Sequence, residues 1–445
     1  MKRNLRVLLA LTLVLALALA ACGGGNKPAQ SGEKEASTEA NTEAVTLSVQ
    51  AEEAWVEYYN GAIERVKEAY PNAEIKVKTV GSFDHLDTLD ATDASNPDVA
   101  DVFALPADRI YSLAAKEVLA SLDSKAMSGR IGGWSDFDAG IGGNLKVGKD
   151  YLAFPFNIET LINFANKANA QANNIDLSKP LEIKDMKDPA SVLLPMFDAW
   201  YGVALTNAAG IELLGKDADG KLFSDLTKEW AELEPEKQAV INAIYEYWKS
   251  NNEANTALFD NDAGWGYVDD TFRTGGKGVM RLGGPWDTNS ISEQAGNGED
   301  MEIYPITQIT VAGKPLIHWQ GGWGLGINSR IEADAAKMEV AVKLIEEIVN
   351  PAHAVELFKA TGKILENVPT DVYANSDLSE TDKKVIAAVI ESYQKAPKRP
   401  LFTEWGKVWD TWKNAVLSWN SVKPATVEDA YKELKASFDS MMTNF

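Results

Sequence analysis

The chain has 445 residues, a formal net charge of −22 and a single cysteine. A surface this acidic repels nucleic-acid phosphates and anionic lipid headgroups, which argues against nucleic-acid binding and against membrane binding through charge. The length allows a core that is stable without disulfides and predicts about two domains. Beyond the N-terminal region no stretch of 18 apolar residues occurs, so a soluble body is predicted.

The first 21 residues have the pattern of a signal peptide. Three basic residues precede an apolar run over residues 7–20, which is too short to span a membrane comfortably. The run ends in Leu-Ala-Ala-Cys-Gly at residues 19–23, which resembles the lipobox of bacterial lipoproteins. This resemblance implies cleavage after residue 21 and a diacylglyceryl anchor on Cys22. The alternative is an ordinary secreted protein in which the cysteine stands at this point by chance.

Residues 22–44 are predicted to comprise the acylated cysteine and a disordered tether, because the segment is polar and lacks aromatic residues. Order is predicted from Val45. The predicted elements that follow are a strand over 45–49, a helix over 53–70, a strand over 74–80 and a buried strand over 99–105.

The remainder of the chain reads as helix-rich. Helices are predicted over 228–250 and 335–349 and from Ser379 onward, with strands over 278–282 and 323–328. Asp334 is placed as a helix N-cap, and Asn350-Pro351 ends that helix. Strands alternating with helices predict an α/β fold with a mainly parallel sheet, in which ligands bind beyond the carboxyl ends of the strands.

Four sequence blocks occur in an order and spacing that resemble a known family. That family is the extracellular solute-binding proteins of carbohydrate ABC transporters, family 1, which are maltose-binding-protein-like. The resemblance covers the chain from Val45 to the C-terminus, and its blocks are residues 96–109, 151–167, 276–286 and 321–328.

The resemblance implies the two-lobe periplasmic-binding-protein fold of type II, with a ligand cleft between lobes that close like a hinge. Chain crossovers are expected near residues 157, 325 and 378. The implied boundaries are residues 45–157 plus 326–378 for the N-lobe and residues 158–325 plus 379–445 for the C-lobe.

Sugar recognition needs aromatic rings that stack on the pyranose and charged groups that bind its hydroxyls. The resemblance places stacking residues at Trp286 and Trp409, with Trp323 and Trp405 as additional candidates. For hydrogen bonding to sugar hydroxyls, the resemblance implies Asp108, Arg109, Glu159 and Glu53. Glu52 is nearly as good a candidate as Glu53. The chain departs from maltose-binding protein at Leu105 and around residues 195–202, which leaves the specific sugar open.

The predicted function is a non-catalytic receptor that delivers a carbohydrate, such as a maltodextrin-like oligosaccharide, to ABC permease subunits. The expected form is a monomer outside the cytoplasm of a single-membrane bacterium, held to the cell membrane by its lipid alone. His85, His318 and His353 are scattered, so no metal site or other cofactor is predicted. Two alternatives stay open: a surface-anchored glycoside hydrolase and a binder of another solute with the same fold.

Overall fold

The computed structural model describes residues 44–445. The predicted signal peptide, Cys22 and all but the last residue of the tether lie outside the described residues. Within residues 44–445, no helix combines the length and the apolar character that a membrane span requires.

The first lobe is built on a sheet of five strands. In spatial order these strands are Ala73–Thr79, Val45–Ala51, Val102–Pro106, Gly321–Ile327 and Phe154–Glu159. The strand Gly321–Ile327 is antiparallel to both of its neighbours, so the other four run in the same direction. Four of the five strands therefore share the direction expected of the predicted mainly parallel sheet, although two of the four strand pairings are antiparallel.

The second lobe is built on a sheet of four strands. Their spatial order is Met301–Pro305, Ile162–Asn166, Met280–Gly283 and Val192–Leu193. A three-stranded sheet accompanies it, formed by Lys314–Pro315, Ile309–Val311 and Leu181–Glu182. Short hairpins join Gly215–Lys216 to Leu222–Phe223 in the second lobe and Lys146–Val147 to Asp150–Tyr151 in the first.

Helices cover the sheets. In chain order the α-helices are Val56–Ala69, Ser82–Ala91, Ile110–Ala115, Ser124–Ile131, Ile141–Asn144, Lys167–Ala172, Ala199–Thr206, Pro235–Glu253, Gly264–Phe272, Thr288–Gln294, Ala335–Ile348, Ala354–Thr361, Thr370–Ala374, Glu380–Lys395, Val408–Val422 and Val427–Met442. Fully buried aromatic rings lie under them, among them Tyr59 and Phe103 in the first lobe and Trp412 and Trp419 in the second.

Capping residues set several helix boundaries. The carboxylate of Asp334 accepts the N–H of Lys337 at 3.1 Å, as its predicted N-cap role requires. The predicted helix over 228–250 was too long at its start. Its α-helix begins at Pro235, because proline lacks a backbone N–H and is tolerated only in the first helical turn.

The predicted lobe boundaries stay a prediction. Residues 157 and 325, where crossings are expected, fall inside strands Phe154–Glu159 and Gly321–Ile327 of the first sheet. These strands favour crossings a few residues away, at Thr160–Leu161 and at residues 317–320.

Candidate functional site

Carboxylates collect at one edge of the first sheet. Glu52 follows strand Val45–Ala51, Asp108 follows Val102–Pro106, and Glu159 is the last residue of Phe154–Glu159. Because these strands run in the same direction, their carboxyl ends lie at the same edge. This edge forms one wall of a cleft, which we call the first-lobe wall.

Glu159 is the most constrained carboxylate of this wall. Its Oε2 accepts the indole N–H of Trp323 at 3.0 Å. Burial raises the pKa of Glu159, while the positive charges of Lys363 and Arg399 act in the opposite direction. The side chain is therefore an acceptor held in place at the base of the cleft.

The opposite wall is aromatic. It is formed by Trp200, Trp286, Trp319, Trp405 and Trp409, which we call the tryptophan cluster. The ring centroid of Trp405 lies 4.7 Å from that of Trp409 and 4.8 Å from that of Trp319. The ring centroid of Trp200 lies 6.3 Å from that of Trp286 and 6.5 Å from that of Trp409.

The rings of the tryptophan cluster differ in solvent exposure. Trp405 is 5% exposed, whereas Trp286 is 50% exposed. A Cβ on Gly284 would lie 2.2 Å from the Trp286 ring, so the ring folds back over this glycine and turns its other face outward. Trp405 thus packs the interior of the cluster, and Trp286 offers a free aromatic face.

Arg399 connects the two walls. Its guanidinium lies 5.0 Å from the ring centroid of Trp200 and 5.8 Å from that of Trp409, distances typical of cation–π contacts. Its Nη2 donates to Oδ2 of Asp108 at 2.7 Å, and its side chain is only 6% exposed. A guanidinium of the second lobe is therefore ion-paired with a carboxylate of the first lobe.

Two polar groups beside this ion pair have no hydrogen-bond partner among residues 44–445. They are the acceptor Oδ1 of Asp108 and the donor Nε1–H of Trp200, both buried. Native structures rarely leave such groups unpaired, because each one costs about 1–3 kcal/mol. One donor and one acceptor are what a hydroxyl group can satisfy at the same time.

A cavity of about 270 Å³ opens at this place. Asp108 and Arg109 line it from the first lobe, and Arg399, Trp405 and Trp409 line it from the second. A larger cavity of about 560 Å³ lies elsewhere, on the first lobe. No tryptophan lines that larger cavity, so we place the candidate site in the cleft.

Two of the three expected crossings, at Thr160 and at residues 317–320, meet behind the tryptophan cluster. Nε2 of His318 lies 2.9 Å from the carbonyl oxygen of Trp200, and its Nδ1 lies 3.5 Å from Oγ1 of Thr160. Burial lowers the pKa of His318 to about 3, so the ring is neutral. A Cβ on Gly321 would lie 2.9 Å from the carbonyl oxygen of Glu159, so the close approach of these segments requires glycine.

The structure brings most of the predicted site residues to this cleft. Asp108, Glu159, Trp286, Trp405 and Trp409 form its two walls. Arg109 lines the cavity and also pairs with Asp90.

Two predicted residues have different surroundings. Trp323 is largely buried and holds Glu159 through its indole N–H. Glu53 is exposed, and its carboxylate has no partner in the described part of the chain. Glu52, the alternative, accepts from the hydroxyl of Ser82 at 2.6 Å.

Sequence reasoning missed Arg399, Lys363 and Trp319. A single cation in a loop has no periodic signal, and only the three-dimensional structure shows that Arg399 is buried against rings. The adjacent Arg399-Pro400, a few residues before Trp405 and Trp409, was a usable clue, because Arg commonly packs on aromatic faces. Over residues 44–445, no group of three or more His, Cys, Asp or Glu is arranged to hold a metal ion.

Comparisons with known proteins agree with this architecture. The profile of a family described as bacterial extracellular solute-binding protein matches residues 61–388. The structure is similar to the maltose-binding protein of Listeria monocytogenes in complex with maltose, with a TM-score of 0.70 and 19% identity, covering 90% of this chain and 98% of that one. No curated protein sequence matches the chain.

A second structural relative gives the same result. It is the MalX protein of Streptococcus pneumoniae in complex with maltopentaose, with a TM-score of 0.67 and 18% identity, covering 88% of this chain and 99% of that one. At this identity the likeness concerns the fold. It confirms the predicted two-lobe α/β fold.

Proposed function

Because the chain belongs to the family of bacterial extracellular solute-binding proteins, we propose that its cleft captures a carbohydrate and delivers it to an ABC permease. The family places the protein outside the cytoplasm. The proposal concerns the ligand, the residues that bind it and the way in which the protein is held near its permease.

One observation carries the carbohydrate assignment. The free face of Trp286 and the rings of Trp200 and Trp409 stand opposite Asp108 and Glu159. The apolar faces of a pyranose can stack on these rings, and its hydroxyls can donate to the two carboxylates. The unpaired Trp200 Nε1–H and Asp108 Oδ1 supply a donor and an acceptor that sugar hydroxyls can satisfy.

The ligands of two structural relatives support one class of sugar. The listerial protein was crystallised with maltose and the streptococcal one with maltopentaose. We therefore propose a linear oligosaccharide of the maltodextrin type as the ligand.

Ligand capture then works through closure. Stacking groups lie on one wall and most of the hydrogen-bonding groups on the other, so a sugar reaches both only when the lobes are together. A ligand that binds the closed state better than the open state shifts the population towards it. The closed, loaded state is what the permease would recognise.

The anchor is a separate part of the proposal. The lipobox-like sequence supports acylation of Cys22, and the polar segment up to residue 44 would tether the monomer to the cell membrane. Mass spectrometry of protein from the membrane fraction tests this. Replacement of Cys22 by Ala should release the protein into the medium.

A thermal-shift and calorimetry screen tests the ligand. Maltodextrins should raise the melting temperature, with a stabilisation that grows as the logarithm of one plus the ligand concentration over Kd, whereas polyamines, peptides and inorganic anions should not. The same samples, examined by chromatography, should show no shortened saccharide. Saccharide cleavage would favour a glycoside hydrolase instead, and a response only to another solute would overturn the carbohydrate assignment.

A further inference from the structure

One segment of the second lobe contacts both lobes and one of the crossings between them. It covers residues 392–399, at the end of helix Glu380–Lys395, and we call it the strap. The hydroxyl oxygen of Ser392 accepts the backbone N–H of Ile306 at 2.9 Å. Ile306 directly follows the second-lobe strand Met301–Pro305, so this bond fixes the start of the strap to the second lobe.

The middle of the strap is hydrogen-bonded to the crossing at residues 317–320. The backbone N–H of Gln320 donates to the carbonyl oxygen of Pro397 at 2.8 Å, and its side-chain Nε2 donates to the carbonyl oxygen of Tyr393 at 3.3 Å. Gln320 also forms a parallel β-bridge with Lys398. The strap therefore follows this crossing and lies at the junction of the two lobes.

Near its start the strap reaches a carboxylate of the first lobe. The hydroxyl of Tyr393 donates to Oε1 of Glu366 at 3.4 Å. Oε1 also accepts the N–H of Ile141 at 2.9 Å, and Oε2 accepts the indole N–H of Trp134 at 3.1 Å. Burial raises the pKa of Glu366, and these three hydrogen bonds act in the opposite direction. Glu366 is thus held by the first lobe and contacted from the second.

At its end the strap bridges the two walls of the cleft. Nη2 of Arg399 donates to Oδ2 of Asp108 at 2.7 Å, and its guanidinium also lies 5.7 Å from the ring centroid of Trp319. Arg399 therefore makes the two kinds of contact that the proposed function assigns to a sugar, an aromatic contact with one wall and a hydrogen bond with the other. Both contacts are made by protein groups, so neither requires a ligand.

We propose that the strap holds a fraction of the protein in the closed state before a ligand binds. Its two contacts with the first lobe, at Glu366 and at Asp108, lie at opposite ends of one short segment. A rotation that opens the cleft changes the separation within these pairs, and a buried charge that loses its partner is destabilised. The strap leaves Oδ1 of Asp108 and Nε1–H of Trp200 unpaired, so a ligand adds its contacts to those of the strap. This closure precedes ligand capture and is distinct from the population shift that the ligand causes.

Small-angle X-ray scattering of the protein without added ligand tests the strap. Arg399→Met and Tyr393→Phe should each give a larger radius of gyration than wild type, because a larger fraction of the protein is open. The increase should be larger for Arg399→Met, since a charged pair at 2.7 Å is stronger than a hydrogen bond at 3.4 Å. Tyr393→Phe loses only one hydroxyl, so it gives a decisive result even where Arg399→Met does not fold.

Matched variants separate opening from a general loss of stability. Arg65→Met breaks an ion pair with Glu347 within the first lobe. Tyr58→Phe loses a hydrogen bond to the carbonyl oxygen of Ile348, also within the first lobe. Both controls should keep the wild-type radius of gyration. A wild-type radius in the strap variants that fold would overturn the strap and leave the proposed function intact, and so would an equal increase in strap variants and controls.

The affinity of Tyr393→Phe for maltopentaose, measured by calorimetry, gives a second test, which rests on the proposed function. Tyr393 does not line the cleft cavity, so loss of its hydroxyl acts on the ligand only through the position of the lobes. Affinity should fall about two- to tenfold, because apparent affinity falls with the fraction of protein in the binding-competent state. Unchanged affinity would contradict the strap. A wild-type protein that binds no saccharide would overturn the proposed function, whereas the scattering experiment, which needs no ligand, would still decide on the strap.

Discussion

The two walls of the cleft differ in chemistry although similar elements build them. The first-lobe wall presents carboxylates, Glu52, Asp108 and Glu159, at the ends of co-directional strands. The second-lobe wall presents the tryptophan cluster, supported by helices Ala199–Thr206 and Val408–Val422. The first-lobe wall can orient a sugar through hydrogen bonds, and the second-lobe wall provides apolar surface on which it can stack.

This division shows how affinity becomes linked to closure. Stacking rings lie mainly on one wall and hydrogen-bonding groups mainly on the other, so a sugar gains its full set of contacts only in the closed protein. Arg399 is the exception that joins the walls, because it stacks on the tryptophans and pairs with Asp108. Variants that affect one wall at a time test this division.

The largest effect should come from the interior of the tryptophan cluster. Trp405→Ala removes a ring that is 5% exposed, and the resulting cavity should lower the free energy of unfolding by about 3–5 kcal/mol. Trp286→Ala removes a ring that is 50% exposed and should lower stability by less than about 1 kcal/mol while weakening saccharide binding about tenfold. Urea unfolding and calorimetry measure the two quantities. Equal losses of stability in both variants would contradict the assigned roles.

The next effect should come from the ion pair between the walls. Arg399→Met leaves the carboxylate of Asp108 partly buried without its partner, which should lower the free energy of unfolding by about 3 kcal/mol. Adding Asp108→Asn removes the unpaired charge and should restore part of that loss. The double-mutant cycle, read from urea midpoints, gives the coupling between the walls. Additive effects would show that the pair does not join them.

Much of the fold was readable from the sequence because its signals are local. Alternation of apolar residues predicted the strand that spans Val45–Ala51, and the cap at Asp334 predicted the start of helix Ala335–Ile348. The start of helix Pro235–Glu253 was missed because the apolar pattern continues upstream through Trp230, whereas proline decides where the α-helix begins.

The site was predictable only where a motif marks it. The tryptophans at 286 and 409 stand in such motifs. Arg399 does not, and its role depends on contacts with Trp200 and Asp108, which lie far from it in the sequence. The choice between Glu52 and Glu53 depends on which residue of a tight turn points inward, and strand periodicity ends just before that turn.

Acid should lower the stability of the protein through two buried neutral histidines, His318 and His85. Burial lowers the pKa of His318 to about 3, against 6.5 for a free imidazole, and that of His85 to about 4. Between pH 6.5 and pH 5 the unfolded chain therefore gains protons that the folded protein does not take. Each histidine should cost about 2 kcal/mol of unfolding free energy by pH 5.

Urea unfolding at several pH values measures this slope. His318→Gln and His85→Gln should each flatten the decline between pH 6.5 and pH 5, and the double variant should flatten it by the sum of the two effects. A decline as steep as that of wild type in His318→Gln would show that this ring takes up its proton in the folded protein.

The smallest effect on stability should come from Glu159, and its sign is opposite to its effect on binding. Burial raises the pKa of Glu159 above its ordinary 4.5, so the folded state favours the protonated acid. The stability that this group contributes is complete below pH 4.5 and is lost as the pH rises through the raised pKa. Glu159→Gln should therefore increase the free energy of unfolding at pH 7, by about 1 kcal/mol or less, and should not do so at pH 4. Its amide oxygen can still accept from Trp323, but a charged acceptor for sugar hydroxyls is lost, so saccharide affinity should fall about tenfold.

A control variant is Glu253→Gln, on an exposed helix end, which should change neither stability nor saccharide affinity. A variant that loses both stability and affinity at pH 7 would mean that the carboxylate serves the fold, whereas a gain in stability with a loss in affinity assigns it to the ligand.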